Sequence, residues 1–304
     1  MKVLDLIFAA RPMLHLPIWS IYLASLKYHN DLAGEHFDWR NLATLGCLSL
    51  LAAGAYYLNQ IFDIESDSAN HKLGFLSDRK LVPGELMAGY LITSIVALVG
   101  GWFLSRITFA ILIQLFALGF LYSAPPFRLK DRALWGFAAN AWGIGFLVAF
   151  SVMPNINFHN AGLLGWDNPW YFAAAIGGVY VLTTIPDIPG DEMAGKRTLA
   201  VIIGEVGALI LGAILLLLSA YLAFRAQFII LGSTSVVAVG LSLVALRVKR
   251  RETLKLAIVL PILLLTLLAG IFYPWYLLFI VVLVILTRVY YRRRMGIAYP
   301  SLTR

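Results

Sequence analysis

The stretch "NLATLGCLSLLAAGAYYLNQIFDIESD", residues 41–67, is an apolar run that ends in Asn59, Asp63 and Asp67, each four residues from the next. About 20 apolar residues carry a helix across the hydrocarbon core of a bilayer, and runs of this kind recur along nearly the whole chain. The 304 residues are 61% hydrophobic and only 13% charged, with a mean hydropathy of +0.82, well beyond a water-soluble domain of this length. The composition therefore specifies an integral membrane protein, all-α, with one polytopic domain over 1–304. No stretch is long enough for a separate soluble domain.

Membrane spans are expected near 11–28, 41–62, 85–104, 107–123, 133–153, 169–186, 199–223, 227–247, 254–271 and 274–292. "MPNIN" follows the fifth, "DIPGD" the sixth, and Pro274 divides the last two. Short cytoplasmic loops collect Lys and Arg. With the N-terminus inside, all but Lys27, Arg40, Arg106 and Arg225 of the 24 basic residues fall on the cytoplasmic side or at its boundary. A nine-span count would send "RVYYRRRM" outside, against this bias. The net charge of +8 is thus read as topology plus attraction to an anionic lipid or substrate. It is scattered over several loops, so no nucleic-acid surface is expected. The start, "MKVLDLIFAARP", breaks its apolar run with Asp5 and Arg11 and offers no small-residue cleavage site, so it is not read as a removable signal peptide. Cys47, the single cysteine, lies inside a span and is read as a small packing residue.

A helix turns about 100° per residue, so Asn59, Asp63 and Asp67 drift only about 40° per step and stay on one face. The plain alternative is that the span ends near Ile61 and the aspartates are solvated. A second acidic pair weighs against it. At the end of the sixth span "TTIPDIPGDEMAGKRTLAVIIG" places Asp187 and Asp191 four apart. Pro186, Pro189 and Gly190 argue for a local turn rather than a regular helix through the pair. By the ten-span count both clusters emerge on the same side.

Hard oxygen ligands without His or Cys select Mg²⁺, which is commonly shared between carboxylates and substrate phosphates. Bound there, it turns two repelling acidic clusters into a diphosphate site. Lys72, Arg79, Lys80, Lys196 and Arg197 stand nearby as further contacts, although each alone also reads as a positive-inside residue. A third segment on the same side, "YSAPPFRLKDR", offers Tyr122, Arg128 and Lys130.

Together the three segments resemble the UbiA superfamily of membrane prenyltransferases. The family's first motif, N-D-x-x-D-x-x-x-D, reads "NQIFDIESD" here; its second, D-x-x-x-D followed by Gly and "TL", reads "DIPGDEMAGKRTL"; between them "YSAPPFRLK" matches a "YS-x-P" segment ending in Lys. The order is right, and the resemblance runs from Arg11 to about Gly204. It implies a helical bundle around a central cavity, capped by cytoplasmic loops, usually with nine spans. This chain departs at Gln60, where the family often has Asp, so one possible ligand is a neutral amide. It departs again after Asp67, where "NHKLGFLSDRKLVPG" replaces a shorter Pro-rich segment and makes Arg79 the phosphate-contact candidate.

The resemblance further implies an isoprenyl diphosphate donor, with Asn59, Asp63, Asp67, Asp187 and Asp191 holding Mg²⁺ against the diphosphate. Arg79, Arg128, Lys130, Lys196 and Arg197, with Lys72, supply cations as the allylic C–O bond breaks, and Tyr122 orients the diphosphate or faces the cation. Arg11, before Pro12 in the first span, either contacts the acceptor or snorkels to the interface. The expected acceptor is lipophilic, an aromatic or quinone precursor; a glyceryl phosphate lipid is the alternative within the superfamily. From another class, a cation-coupled transporter would carry its carboxylates near the bilayer midplane in broken helices. The expected location is the cell membrane, with the active site on the cytoplasmic side. Protein partners are not legible.

Overall fold

The computed structural model describes residues 2–33, 36–64, 75–153, 164–248 and 251–299. It is helical throughout these segments: α1 (Lys2–Ala9), α2 (Leu16–Ala33), α3 (Trp39–Phe62), α4 (Pro83–Leu104), α5 (Arg106–Ser123), α6 (Ala133–Asn140), α7 (Leu164–Thr183), α8 (Ile188–Met193), α9 (Leu199–Arg225), α10 (Ile229–Val248), α11 (Arg251–Phe272) and α12 (Pro274–Met295). Among the described residues, nine helical stretches are long and apolar enough to cross a membrane. The helix at the sixth expected span, α7, is not one of them, because it opens on Asp167, Asn168 and Pro169; it nonetheless packs along α9. There a Cβ on Gly178 would lie 3.0 Å from the Gly212 carbonyl oxygen, and one on Gly212 would lie 3.3 Å from that of Gly178. Small residues thus let two backbones approach inside the chain.

Sequence chemistry explains several of the ends. Asp38 caps α3, its carboxylate accepting from Asn41 N–H at 3.0 Å while the Asn41 amide oxygen accepts from Asp38 N–H. Ser105 caps α5 in the same way through Thr108 N–H. Pro83 and Pro274 sit in the first turn of α4 and α12, where no N–H is needed. The outward faces carry exposed Ile92, Val99, Phe103, Ile214, Leu217, Leu278, Val282 and Ile285. Such rows suit a bilayer and not water.

Three elements differ from expectation. The first span does not begin at Arg11. Lys2–Ala9 already forms a helix, and Arg11, with φ 52° and ψ 57°, turns the chain through a 3₁₀ segment (Pro12–His15) into α2. Asp5, which interrupts the apolar run there, is neutralised by the far end of the chain. Asp5 is fully buried, accepts from Tyr290 OH at 2.5 Å, and takes both Nε and an Nη of Arg294 at 3.0 and 2.8 Å. The fifth span is interrupted, with α6 passing into a π-helical turn (Ala141–Leu147) before Val148–Phe150. The second acidic pair combines the expected turn, at residues 184–187, with a short helix that follows it. Asp187 precedes α8 and Asp191 lies in its first turn, with Asp191 N–H donating to the Asp187 carbonyl at 2.9 Å. Pro189 falls at the start of that helix, the position where proline is compatible with it.

Candidate active site

Asn59 lies in the last turn of α3, and Asp63 closes the helix, its N–H donating to the Asn59 carbonyl at 3.0 Å. Their side chains remain one turn apart on one face and meet a cation from the segment after α5. Lys130 Nζ donates to Asn59 Oδ1 at 2.8 Å and to Asp63 Oδ1 and Oδ2 at 2.6 and 2.5 Å. Lys130 and Asp63 are each only 13% exposed, so this is no solvated loop pair. Charge-assisted bonds of this kind are roughly twice as strong as neutral ones. Burial pushes the Lys130 ammonium below the usual lysine range, and the Asp63 carboxylate opposes that push. Ser123 adds its hydroxyl to Asn59 Oδ1 at 3.2 Å.

Arg128 bridges outward from this pair, 3.4 Å from Asp63 Oδ1, while its Nε donates to Asp131 Oδ2 at 2.7 Å. That hydrogen bond holds the guanidinium firmly protonated. Lys196, after α8, stands 3.3 Å from Asp191 Oδ1 and 4.0 Å from Asp131 Oδ1. Arg197 contributes its backbone N–H, donated to the Asp131 carbonyl at 3.2 Å. The segment between α5 and α6 therefore ties the first acidic cluster to the second.

Beneath Asn59 lies a cavity of about 290 Å³. Along α3 it is lined by Asn59, Tyr56, Ala55, Ala52, Leu51 and Leu48, a helical stripe that descends roughly 16 Å at 1.5 Å per residue. Ile18, Leu115, Leu118, Ile144 and Val148 close its lower, apolar part, with Gly143 and Ile144 coming from the π-helical turn. Polar groups gather only at the upper end. Tyr122 lines it, accepts from Asn140 Nδ2 at 3.3 Å, and lies within hydrogen-bonding reach of Tyr180. Close approach here depends on Gly136, where a Cβ would sit 2.6 Å from Tyr180 OH and 3.1 Å from the Leu129 carbonyl oxygen.

Among the described residues only four non-glycines have a left-handed backbone: Arg11, Arg79, Arg128 and Gln227. Three of these are nominated cations, and residues held in that conformation cluster at functional sites. Arg11 lies within electrostatic reach of Tyr56 and so beside the cavity. Arg79 sits in the turn held by buried Phe75 and Leu81 and is not part of the ion-pair row. Asp67 and Lys72 lie outside the described residues.

Gln60 is buried, and its Nε2 donates to the carbonyls of Ala9 at 2.7 Å and Tyr56 at 3.0 Å, which makes it a clamp on the end of α1. Asp131, Asn140, Ser123 and Tyr180 were not singled out in the sequence. Asn140 is a lone amide within an apolar run, a signal that was available. Asp131 was hidden in a basic loop that reads as topology.

Among the described residues no three acidic, histidine or cysteine side chains form one metal-sized cluster. The donor atoms brought to this end are amide and carboxylate oxygens, the set that fits a hard divalent cation.

A model of the UbiA prenyltransferase family matches residues 19–253. A 2-acyl-4-prenylphloroglucinol 6-prenyltransferase of Humulus lupulus is 30% identical over 58% of this chain and 46% of its own. A probable homogentisate phytyltransferase 2 of Oryza sativa subsp. japonica is 31% identical over 62% and 52%. A lycopene elongase/hydratase of Haloferax volcanii is 30% identical over 49% and 48%. The chain thus spans about half the length of the curated relatives it matches. In fold it is similar to a UbiA homolog from Archaeoglobus fulgidus bound to GPP and Mg²⁺, with a TM-score of 0.72 at 17% identity over 91% of this chain and 98% of that one. A structure described for digeranylgeranylglyceryl phosphate synthase gives a TM-score of 0.68 at 18% identity over 88% and 96%.

Proposed function

We propose that this chain, which belongs to the UbiA prenyltransferase family, transfers a prenyl group from an isoprenyl diphosphate to a lipophilic acceptor, an aromatic or quinone precursor. The observation that carries the reading is the seating of Lys130, Asn59 and Asp63 directly above a cavity whose depth is apolar. The tail of an isoprenyl donor suits the lower walls, and its diphosphate suits the cations at the top.

Asn59, Asp63, Asp187 and Asp191, with Asp67, are the residues that would hold Mg²⁺. When bound, it neutralises charge on the departing diphosphate. Lys130 and Arg128 bind phosphoryl oxygens, and their positive charge gains in value as the allylic C–O bond breaks and the leaving group becomes more anionic. Lys196 extends this cationic rim; Arg79, Lys72 and Arg197 are further candidates for phosphate contact, and Arg11 for contact with the acceptor. Tyr122, fixed by Asn140, faces the point where polar rim meets apolar cavity. Leu48, Leu51, Leu115 and Val148 keep water from the allylic cation until the acceptor reacts.

Two of the curated relatives are named for aromatic acceptors, which supports that class over a glyceryl phosphate lipid. The transporter reading asks for carboxylates midway along broken helices, whereas Asp63 closes the end of α3 and Asp191 lies in the short helix that follows α7. On the charge pattern of the loops, this end faces the cytoplasm across the cell membrane. The test is incubation of purified protein with Mg²⁺, geranyl or geranylgeranyl diphosphate, and a panel of phenolic and glyceryl phosphate acceptors. Diphosphate release is measured and product is read by mass spectrometry. A prenylated phenol is the expected product; a prenylated glyceryl phosphate would replace the acceptor class, and absence of any donor binding would overturn the enzyme reading.

A further inference from the structure

From the ion pairs between the two acidic clusters, we infer that Asp131 is a positioning residue for the diphosphate site, holding Arg128 back from the Asp63 carboxylate and sharing Lys196 with Asp191. The inference rests on the donor reading above. Five charges alternate in one row: Asp63, Arg128, Asp131, Lys196, Asp191. Asp131 is its centre and touches neither outer carboxylate. Arg128 makes its short contact, 2.7 Å, with Asp131 and its long one, 3.4 Å, with Asp63.

The backbone makes the same connection. Asp131 N–H donates to the Arg128 carbonyl at 3.0 Å, closing the turn that holds Arg128 at φ 39°, and the Asp131 carbonyl accepts from Arg197 N–H at 3.2 Å. Asp131 thus belongs by its main chain to both segments whose cations it shares. Its side chain is 20% exposed, so the attraction is only partly screened by solvent. Removing its charge leaves Arg128 and Lys196 a single carboxylate partner each, Asp63 and Asp191. Arg128 then closes on Asp63 and Lys196 pairs with Asp191 alone, so both cations sit on residues that would hold metal. They are lost to the diphosphate at the same time.

The experiment measures binding of geranyl thiolodiphosphate, a slowly ionising donor analogue, to the full chain in detergent by calorimetry across a Mg²⁺ titration. Asp131→Asn is expected to weaken binding about tenfold and to raise the Mg²⁺ needed for half-saturation, the scale of one lost charge-assisted contact. Asp131→Glu is expected to restore most of the affinity. In an Arg128→Gln, Lys196→Gln background the further change Asp131→Asn is expected to alter affinity less than about twofold, since coupled residues are not additive. A merely structural Asp131 would give the same loss in both backgrounds. That result, or wild-type binding by Asp131→Asn, overturns the inference. Should Asp131→Asn not yield folded protein, Asp131→Ser carries the same comparison. Wild-type protein that binds no analogue at any Mg²⁺ concentration overturns the donor reading itself, a result distinct from either.

Discussion

The two ends of the bundle use the same residue types in different ways. At the end away from the cavity's polar rim, Lys27 pairs with Asp31 and Arg225 with Asp167, one cation to one carboxylate. At the site end Arg128 and Lys196 are each shared between two carboxylates, and Lys130 is shared between Asn59 and Asp63. A closed pair loses its whole partner if either member leaves, a costly event where one member is buried. A shared row can surrender one contact to an incoming anion and keep the other. Partner sharing, more than the number of charges, separates a site from a brace.

The sharpest way to break this contrast is Asp63→Ala. Turnover is expected to fall by about a thousandfold or more, the scale of a lost electrostatic element at a reacting centre, while the melting temperature stays near that of the parent. Initial rates and thermal melts in the same detergent check both halves. Lys130→Met comes next, with a loss of about a hundredfold; retained donor binding at the parent's affinity would remove Lys130 from the diphosphate site. Gly136→Ala should cost about tenfold in kcat/KM, the scale of a small misplacement, because the added methyl displaces Tyr180 OH or the Leu129–Lys130 backbone. The opposite end supplies the smallest effect on rate. Arg225→Ala is expected to leave turnover within about twofold and to lower stability by about 1–3 kcal/mol, since buried Asp167 loses a charged partner. A large loss of turnover with an unchanged melt would show that the two ends are not separate in function.

Arg225 also marks the limit of the sequence. Its place on the outer side was legible from loop charge, and from that alone its removal would be silent; that it braces a buried aspartate depends on α7 and α9 lying together. The apolar runs gave the spans, because membrane helices satisfy their backbone internally and so declare themselves locally. The three motifs singled out Asn59, Asp63, Lys130 and Asp191 because polar side chains at fixed spacing stand out beside apolar runs, and the structure seats Asn59, Asp63 and Lys130 together, with Asp191 joined to them through Lys196 and Asp131. Helix α1 was missed, since Asp5 looks prohibitive until Tyr290 and Arg294 come within reach from nearly 300 residues away. Gln60 shows a related limit. Helical spacing lists the residues near a face but does not say that Ala9 offers its carbonyl to the Gln60 amide.

The bond between Asp5 and α12 also has a meaning in the order of synthesis. Its partners, Tyr290 and Arg294, are separated from it by 285 and 289 positions, so α1 is translated long before the helix that locks it. Until α12 emerges, a buried carboxylate has no counter-charge, and neither Tyr291 nor its hydroxyl is there to cap the Phe8 carbonyl. Arg11 directly follows that clamped helix. A nascent bundle can therefore hold its middle helices in the membrane well before α12 secures α1.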